Sequence, residues 1–161
     1  MSEQEVLDAL SDADALACTM HAEAAGDRAE GESSLEERIA VGCVIRNRLR
    51  QPLRFGDTYK EVCVKERQFS CWIAAGGAAN YTRTLQNAYL LATRQPVGHL
   101  MFEETQWLAA GIVSGKLLDM VRGATHYFSP RAMQPPGSMP PWAKGREPVA
   151  RVGGHLFFNN V

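Results

Sequence analysis

The sequence predicts an α+β domain, mostly helical, with a small antiparallel sheet near its C-terminus. Three observations carry this. Apolar residues recur at helical spacing early in the chain, at Val6, Leu7, Leu10, Ala13, Leu16, Ala17 and Met20. Strand composition is confined to the last third, at Ala124-Thr125-His126-Tyr127-Phe128 and from Arg151 to Phe158. Between those two stretches lie most of the prolines, so 129–148 reads as a long loop.

The first helix is expected over 3–25. Ser2 and Glu5 have capping-box spacing, Gly26 is a stop, and Ser11 offers a cap for a break near Asp12. A polar loop, 27–33, follows. Ser33 with Glu36, or Ser34 with Glu37, then caps a second helix reaching Arg50, with Leu35, Ile39, Gly42, Cys43, Ile45 and Leu49 inward and Pro52 closing it. The pattern over 53–77 is irregular, with Gln68 to Trp72 as a short strand or extended loop and Gly76-Gly77 as a turn. Helices are expected over 80–94, with Tyr81, Leu85, Ala88, Leu91 and Ala92 as the apolar stripe, and over 103–114. Arg151 to Phe158 reads as one final strand, paired with Ala124–Phe128. Trp72 and Trp107 fall in apolar patterns and are assigned to the core.

At 161 residues the chain is one domain, 1–161, with 1–14 as an N-terminal helical extension. A net charge of −1 argues against a nucleic-acid partner held by phosphate neutralisation. No apolar run is long enough to insert in a membrane. The acidic start, Met1-Ser2-Glu3-Gln4-Glu5, lacks a secretory pattern, so the protein is expected to be held in the cytoplasm until released; a monomer is expected. Cys18, Cys43, Cys63 and Cys71 read as structural thiols. His21, His99, His126 and His155 give no metal-binding spacing, so neither a metal nor another cofactor is expected.

Met20-His21-Ala22-Glu23-Ala24-Ala25-Gly26 places one carboxylate near the end of an apolar helix, just before a glycine break. A carboxyl group held between apolar packing and a cleft tends to keep its proton near neutral pH. Cleavage of a glycosidic bond requires such an acid. The stretch by itself equally suits a solvated glutamate at a helix end, and Glu23 becomes the candidate catalytic residue once the rest of the chain is added. Asp27, Glu30 and Glu32 are candidates for a second carboxylate.

Four segments, in order, carry a family resemblance. They are His21-Ala22-Glu23-Ala24; Ile39-Ala40-Val41 with Val44-Ile45-Arg46-Asn47-Arg48; Gln68-Phe69-Ser70; and Gly123 to Phe128 followed by Trp142 and Gly153 to Phe158. Together they resemble the SleB-like cell-wall hydrolases, the family of spore cortex-lytic enzymes and related bacteriophage lysins. The departure lies after Glu23, where the family has Arg-Gly-Glu and this chain has Ala24-Ala25-Gly26-Asp27.

The resemblance implies a lysozyme- or lytic-transglycosylase-like fold. It implies bacterial peptidoglycan as substrate, cut between N-acetylmuramic acid and N-acetylglucosamine from the periplasmic side. One poised acid suffices for a lytic transglycosylase, whereas a second carboxylate in the 27–32 loop would give a water-using muramidase. A different class is a wall-binding or virion structural protein that keeps the fold without activity. Gln68 and Ser70 are expected to meet substrate or orient Glu23, with Phe69 packing between them. Tyr127 rather than His126 is expected to face the groove. Trp142 is either a sugar-stacking platform or a loop anchor. His155 is either a buried structural histidine or a substrate contact.

Overall fold

A computed structural model describes residues 1–26, 28–29, 31–66, 68–74 and 79–161. Among these, seven α-helices precede a three-stranded antiparallel sheet. The expected turn at Gly76-Gly77 and the acidic candidates Asp27 and Glu30 lie outside the described residues.

Local capping sets the first boundaries. Ser2 and Glu5 form a capping box on α1 (Glu3–Ala9). Ser11 accepts from the Asp14 N–H and starts α2 (Asp12–Ala25), so the expected break divides the first helix. From Ala15 to Ala25 every residue of α2 is buried except Glu23. A helix buried on all sides must be a central one. Its neighbours are α3 (Leu35–Arg48), α5 (Tyr59–Val64), α6 (Ala79–Ala92) and α7 (Leu100–Ser114), while α1 packs on α6. The 53–77 stretch is less irregular than expected. It contains α4 (Pro52–Phe55) and α5, and Gln68–Trp72 ends in a 3-10 turn, Ser70–Trp72, rather than a strand.

Ser34 and Glu37 form the capping box of α3. Gly42 on this helix admits close approach, since a Cβ there would meet Ile112 Cγ1 at 2.9 Å and Met20 Sδ at 3.0 Å. The inward face of α3 differs from the apolar reading. Leu35 is exposed, whereas Glu37, Arg38, Asn47 and Arg48 are buried beside Val41, Val44 and Ile45. Helix periodicity assigns charges to solvent, but here distant partners satisfy them. Arg38 donates to the Met101 carbonyl, Thr105 Oγ1 and Glu104 of α7.

Helix α6 buries Asn80, Thr84 and Ala88, and Tyr89 is exposed. Trp107 is 83% exposed on α7, which corrects its assignment to the core. That helix is apolar around more of its circumference than it can bury, so the pattern does not say which side faces in. Trp72 is half-buried against the core and donates its indole N–H to Thr19 Oγ1 at 2.9 Å.

The sheet order is β1 (His126–Phe128), β3 (His155–Phe158), β2 (Ala150–Val152). The expected final strand is a hairpin instead, because Gly153-Gly154 turns the chain between β2 and β3. Strand β3 pairs with β1 as expected, Tyr127 opposite Phe157. The 129–148 connection is irregular apart from two 3-10 turns, Pro130–Ala132 and Pro141–Ala143.

Candidate active site

The half-buried Glu23 opens into a cleft of about 460 Å3 lined also by Ser70, Asn80, Arg83, Tyr127 and His155. Three donors meet its carboxylate. Oε1 accepts from the Cys71 backbone N–H at 3.0 Å and from Ser70 Oγ at 3.3 Å. Oε2 accepts from the Tyr127 hydroxyl at 3.0 Å. The donors arrive from two directions, a 3-10 turn and a strand.

Each direction has its own anchor. Thr19 lies one helical turn before Glu23, so both share a face of α2. The Trp72 indole bonds Thr19, and the preceding two residues bond Glu23, which staples the 3-10 turn along that face. Tyr127 is fixed by strand pairing and by ring contacts with Phe157 and His155, both at 5.6 Å. Burial, then the nearby Glu23 charge, holds its phenol well above the ordinary tyrosine value, so the hydroxyl stays a donor. Burial likewise pushes the Cys71 thiol up, reinforced by Glu23.

Arg48 joins the two directions. It is 6% exposed, with Phe55 and Phe69 each 4.9 Å from its guanidinium carbon. Its Nε donates to the Thr125 carbonyl at 2.8 Å and an Nη to Gln68 Oε1 at 3.1 Å. Thr125 stands two residues before Tyr127, and Gln68 two residues before Ser70. One buried fork therefore holds both segments that serve Glu23. Neighbouring Asn47 donates to Asp119 and the Ala124 carbonyl, fixing the approach to β1.

A second charged group stands behind the cleft. Glu37, 4% exposed, pairs with Arg28 through both oxygens, at 2.5 and 3.3 Å, and its Oε2 lies 3.3 Å from His155 Nδ1. Arg28 also donates to the Ala24 and Ala25 carbonyls at the end of α2. Burial would raise the Glu37 carboxyl, but hydrogen bonds from Arg28 and Ser34 outweigh it and leave it below the usual value. Burial lowers His155, against the upward pull of Glu37.

Of the residues singled out in the sequence, Ser70, Tyr127 and His155 line the cleft with Glu23. Phe69 is buried between Gln68 and Ser70, and Gln68 turns to Arg48 rather than to the cleft. Trp142 sits in a separate cluster with Phe128 and Phe158, its ring 5.2 Å from that of His126, and does not line the cleft. Glu32 is exposed and does not line it either. Among the described residues no group of side chains is arranged to hold a metal ion. Arg28, Glu37 and Arg48 had no expected role at the site, although Glu37 was expected to cap its helix and Arg48 lies in a resemblance motif. The signal for two of them was spacing, because Glu37, Val41, Val44 and Arg48 fall on one helical stripe.

Comparison with curated proteins and with solved structures finds no match. A family model described as Cell Wall Hydrolase matches residues 31–158, and so covers α3, the donors to Glu23 and the sheet, while Glu23 itself precedes it. The match takes in well over half of the chain and agrees with the resemblance carried by the three motifs that lie within it, so the protein belongs to the cell wall hydrolase family, whose substrate is peptidoglycan.

Proposed function

We propose that this protein cleaves the bond between N-acetylmuramic acid and N-acetylglucosamine as a lytic transglycosylase, with Glu23 as its catalytic acid and then base. One observation carries the reading. Among the described residues that line the cleft, Glu23 is the sole carboxylate. Glu23 gives its proton to the departing glycosidic oxygen as the bond to C1 breaks. The C6 hydroxyl of the same muramoyl residue attacks C1, and its proton passes to the Glu23 carboxylate. A 1,6-anhydro ring forms and no water is consumed. One group serves as acid and base in turn, and the nucleophile is already tethered to the reacting sugar. Tyr127, Ser70 and the Cys71 N–H hold the carboxylate in one orientation throughout.

The buried Glu37 behind His155 favours a second reading. A neutral His155 backed by Glu37 is a candidate base for activating water, which would make the enzyme a muramidase. Mass spectrometry of soluble products from purified peptidoglycan separates the two. Products ending in 1,6-anhydromuramic acid support the transglycosylase. Reducing-end sugars, heavier by one water, overturn it in favour of hydrolysis through His155.

An endolysin role belongs to the same proposal and draws on the resemblance to bacteriophage lysins. The protein would wait in the cytoplasm and reach the wall on release. Its appearance outside the cell before any lysis would overturn that role.

A further inference from the structure

The cleft continues beyond Glu23. Its space of about 460 Å3 shares Gly26, Ser129, Ala132 and His155 with an adjoining one of about 130 Å3. Among the described residues, the charged side chains along both parts are Glu23 and three arginines. Arg83 comes from α6, Arg28 from the loop after α2, and Arg131 from the turn after β1. Arg28 is committed to Glu37 and the end of α2. Among the described residues, Arg83 and Arg131 have no ion-pair or hydrogen-bond partner. Arg83 is half-buried, so part of its hydration is lost without a protein carboxylate in return. On the same wall, the Asn80 side-chain oxygen is buried with no hydrogen-bond partner among the described residues.

The chain as a whole carries a net charge of −1, so this positive excess is local to the cleft. Low-dielectric walls focus such a potential onto an anion, and a guanidinium fork matches a carboxylate. The neutral N-acetyl sugars of a glycan strand offer no counter-charge. The peptide stems of peptidoglycan carry several carboxylates, beside the cleaved bond.

We infer that Arg83 and Arg131 bind stem-peptide carboxylates and make the enzyme selective for stem-bearing glycan. This rests on the glycosidase reading of the cleft. The test is calorimetric binding of Glu23→Gln protein to peptidoglycan, either intact or stripped of its stems by an amidase. Stripped strands keep the lactyl carboxylate, which separates the two anion sources. Intact wall is expected to bind about tenfold tighter than stripped wall, with Arg83→Gln plus Arg131→Gln bringing the two within about twofold. Unchanged binding of the double variant to intact wall would overturn the inference. An equal loss on both walls would also overturn it, in favour of the lactyl group. Failure of the glycosidase reading shows separately, as no soluble sugar product from protein with Glu23 intact.

Discussion

Tyr127 and Glu23 are 104 residues apart in the chain, yet the phenol hydroxyl donates to Oε2 of the carboxylate at 3.0 Å. Removing that hydroxyl leaves the carboxylate with donors on one oxygen only among the described residues. Tyr127→Phe is therefore expected to lower turnover on purified peptidoglycan by about 10- to 100-fold. Ring packing on Phe157 and His155 is kept, so the loss of stability should stay within about 1.5 kcal/mol. Turbidity clearance together with urea unfolding checks both halves.

Glu23→Gln should abolish wall clearance, a loss of at least about 10³-fold, because an amide cannot donate the acid proton. The amide oxygen can still accept from Ser70 and the Cys71 N–H, so the fold is retained. A folded variant with substantial residual turnover would remove Glu23 from the mechanism.

Arg48→Lys keeps a positive charge but loses the fork that reaches Thr125 and Gln68 together. Destabilisation of about 2–4 kcal/mol is expected, since the ammonium stays buried with fewer partners. A urea midpoint equal to that of the parent protein would show that the fork is dispensable.

Two histidines set the acid side of the stability profile. His126 is held down to about 4, first by burial and then by Arg48, Arg54 and Arg146. His155 is also lowered, by burial. Below the ordinary histidine value of about 6.5, the unfolded chain therefore binds more protons on these rings than the folded protein does. Their contribution is complete above about pH 6.5 and is lost as pH falls towards 4. Glu37 acts in the same direction at lower pH, because its folded value lies below the usual one. Unfolding free energy should decline from pH 7 to pH 4, and His126→Gln should flatten the upper part. A profile that is level over this range would contradict the buried neutral rings.

The Gly153-Gly154 turn offers a matched pair. Gly153 has a φ of +55°, and a Cβ there would come within 2.5 Å of Glu37 Cδ. At Gly154 the nearest atom to such a Cβ is Ser129 Oγ, at 4.0 Å. Gly153→Ala should cost about 1–3 kcal/mol and Gly154→Ala about 0.5 kcal/mol or less, read from thermal unfolding.

What the sequence made legible was local. Ser2, Ser11 and Ser34 begin their helices as their spacing requires, because a cap depends on neighbours three residues away. The alternation of His126 and Tyr127 let only one of the two rings face the cleft, since strand geometry has a fixed period, and the tyrosine is the one that meets Glu23. The hairpin was missed, because Arg151 to Phe158 has strand composition throughout and the turn at its glycine pair is hidden within it. Buried charge was not legible either. Arg38 and Arg48 depend on partners between 20 and 77 residues away, which no local pattern carries. Trp107 and Leu35 fail the other way, because periodicity finds an apolar stripe without knowing which side has a neighbour.

Glu23 sits on α2, but its donors lie 47 to 104 residues further along the chain. None of these contacts can form before the later residue has been made. A polypeptide still being synthesised thus carries the acid long before anything can orient it. A fragment ending ahead of β1 would keep Glu23 and lack the tyrosine that holds it. The complete donor set around this carboxylate is a property of the finished molecule.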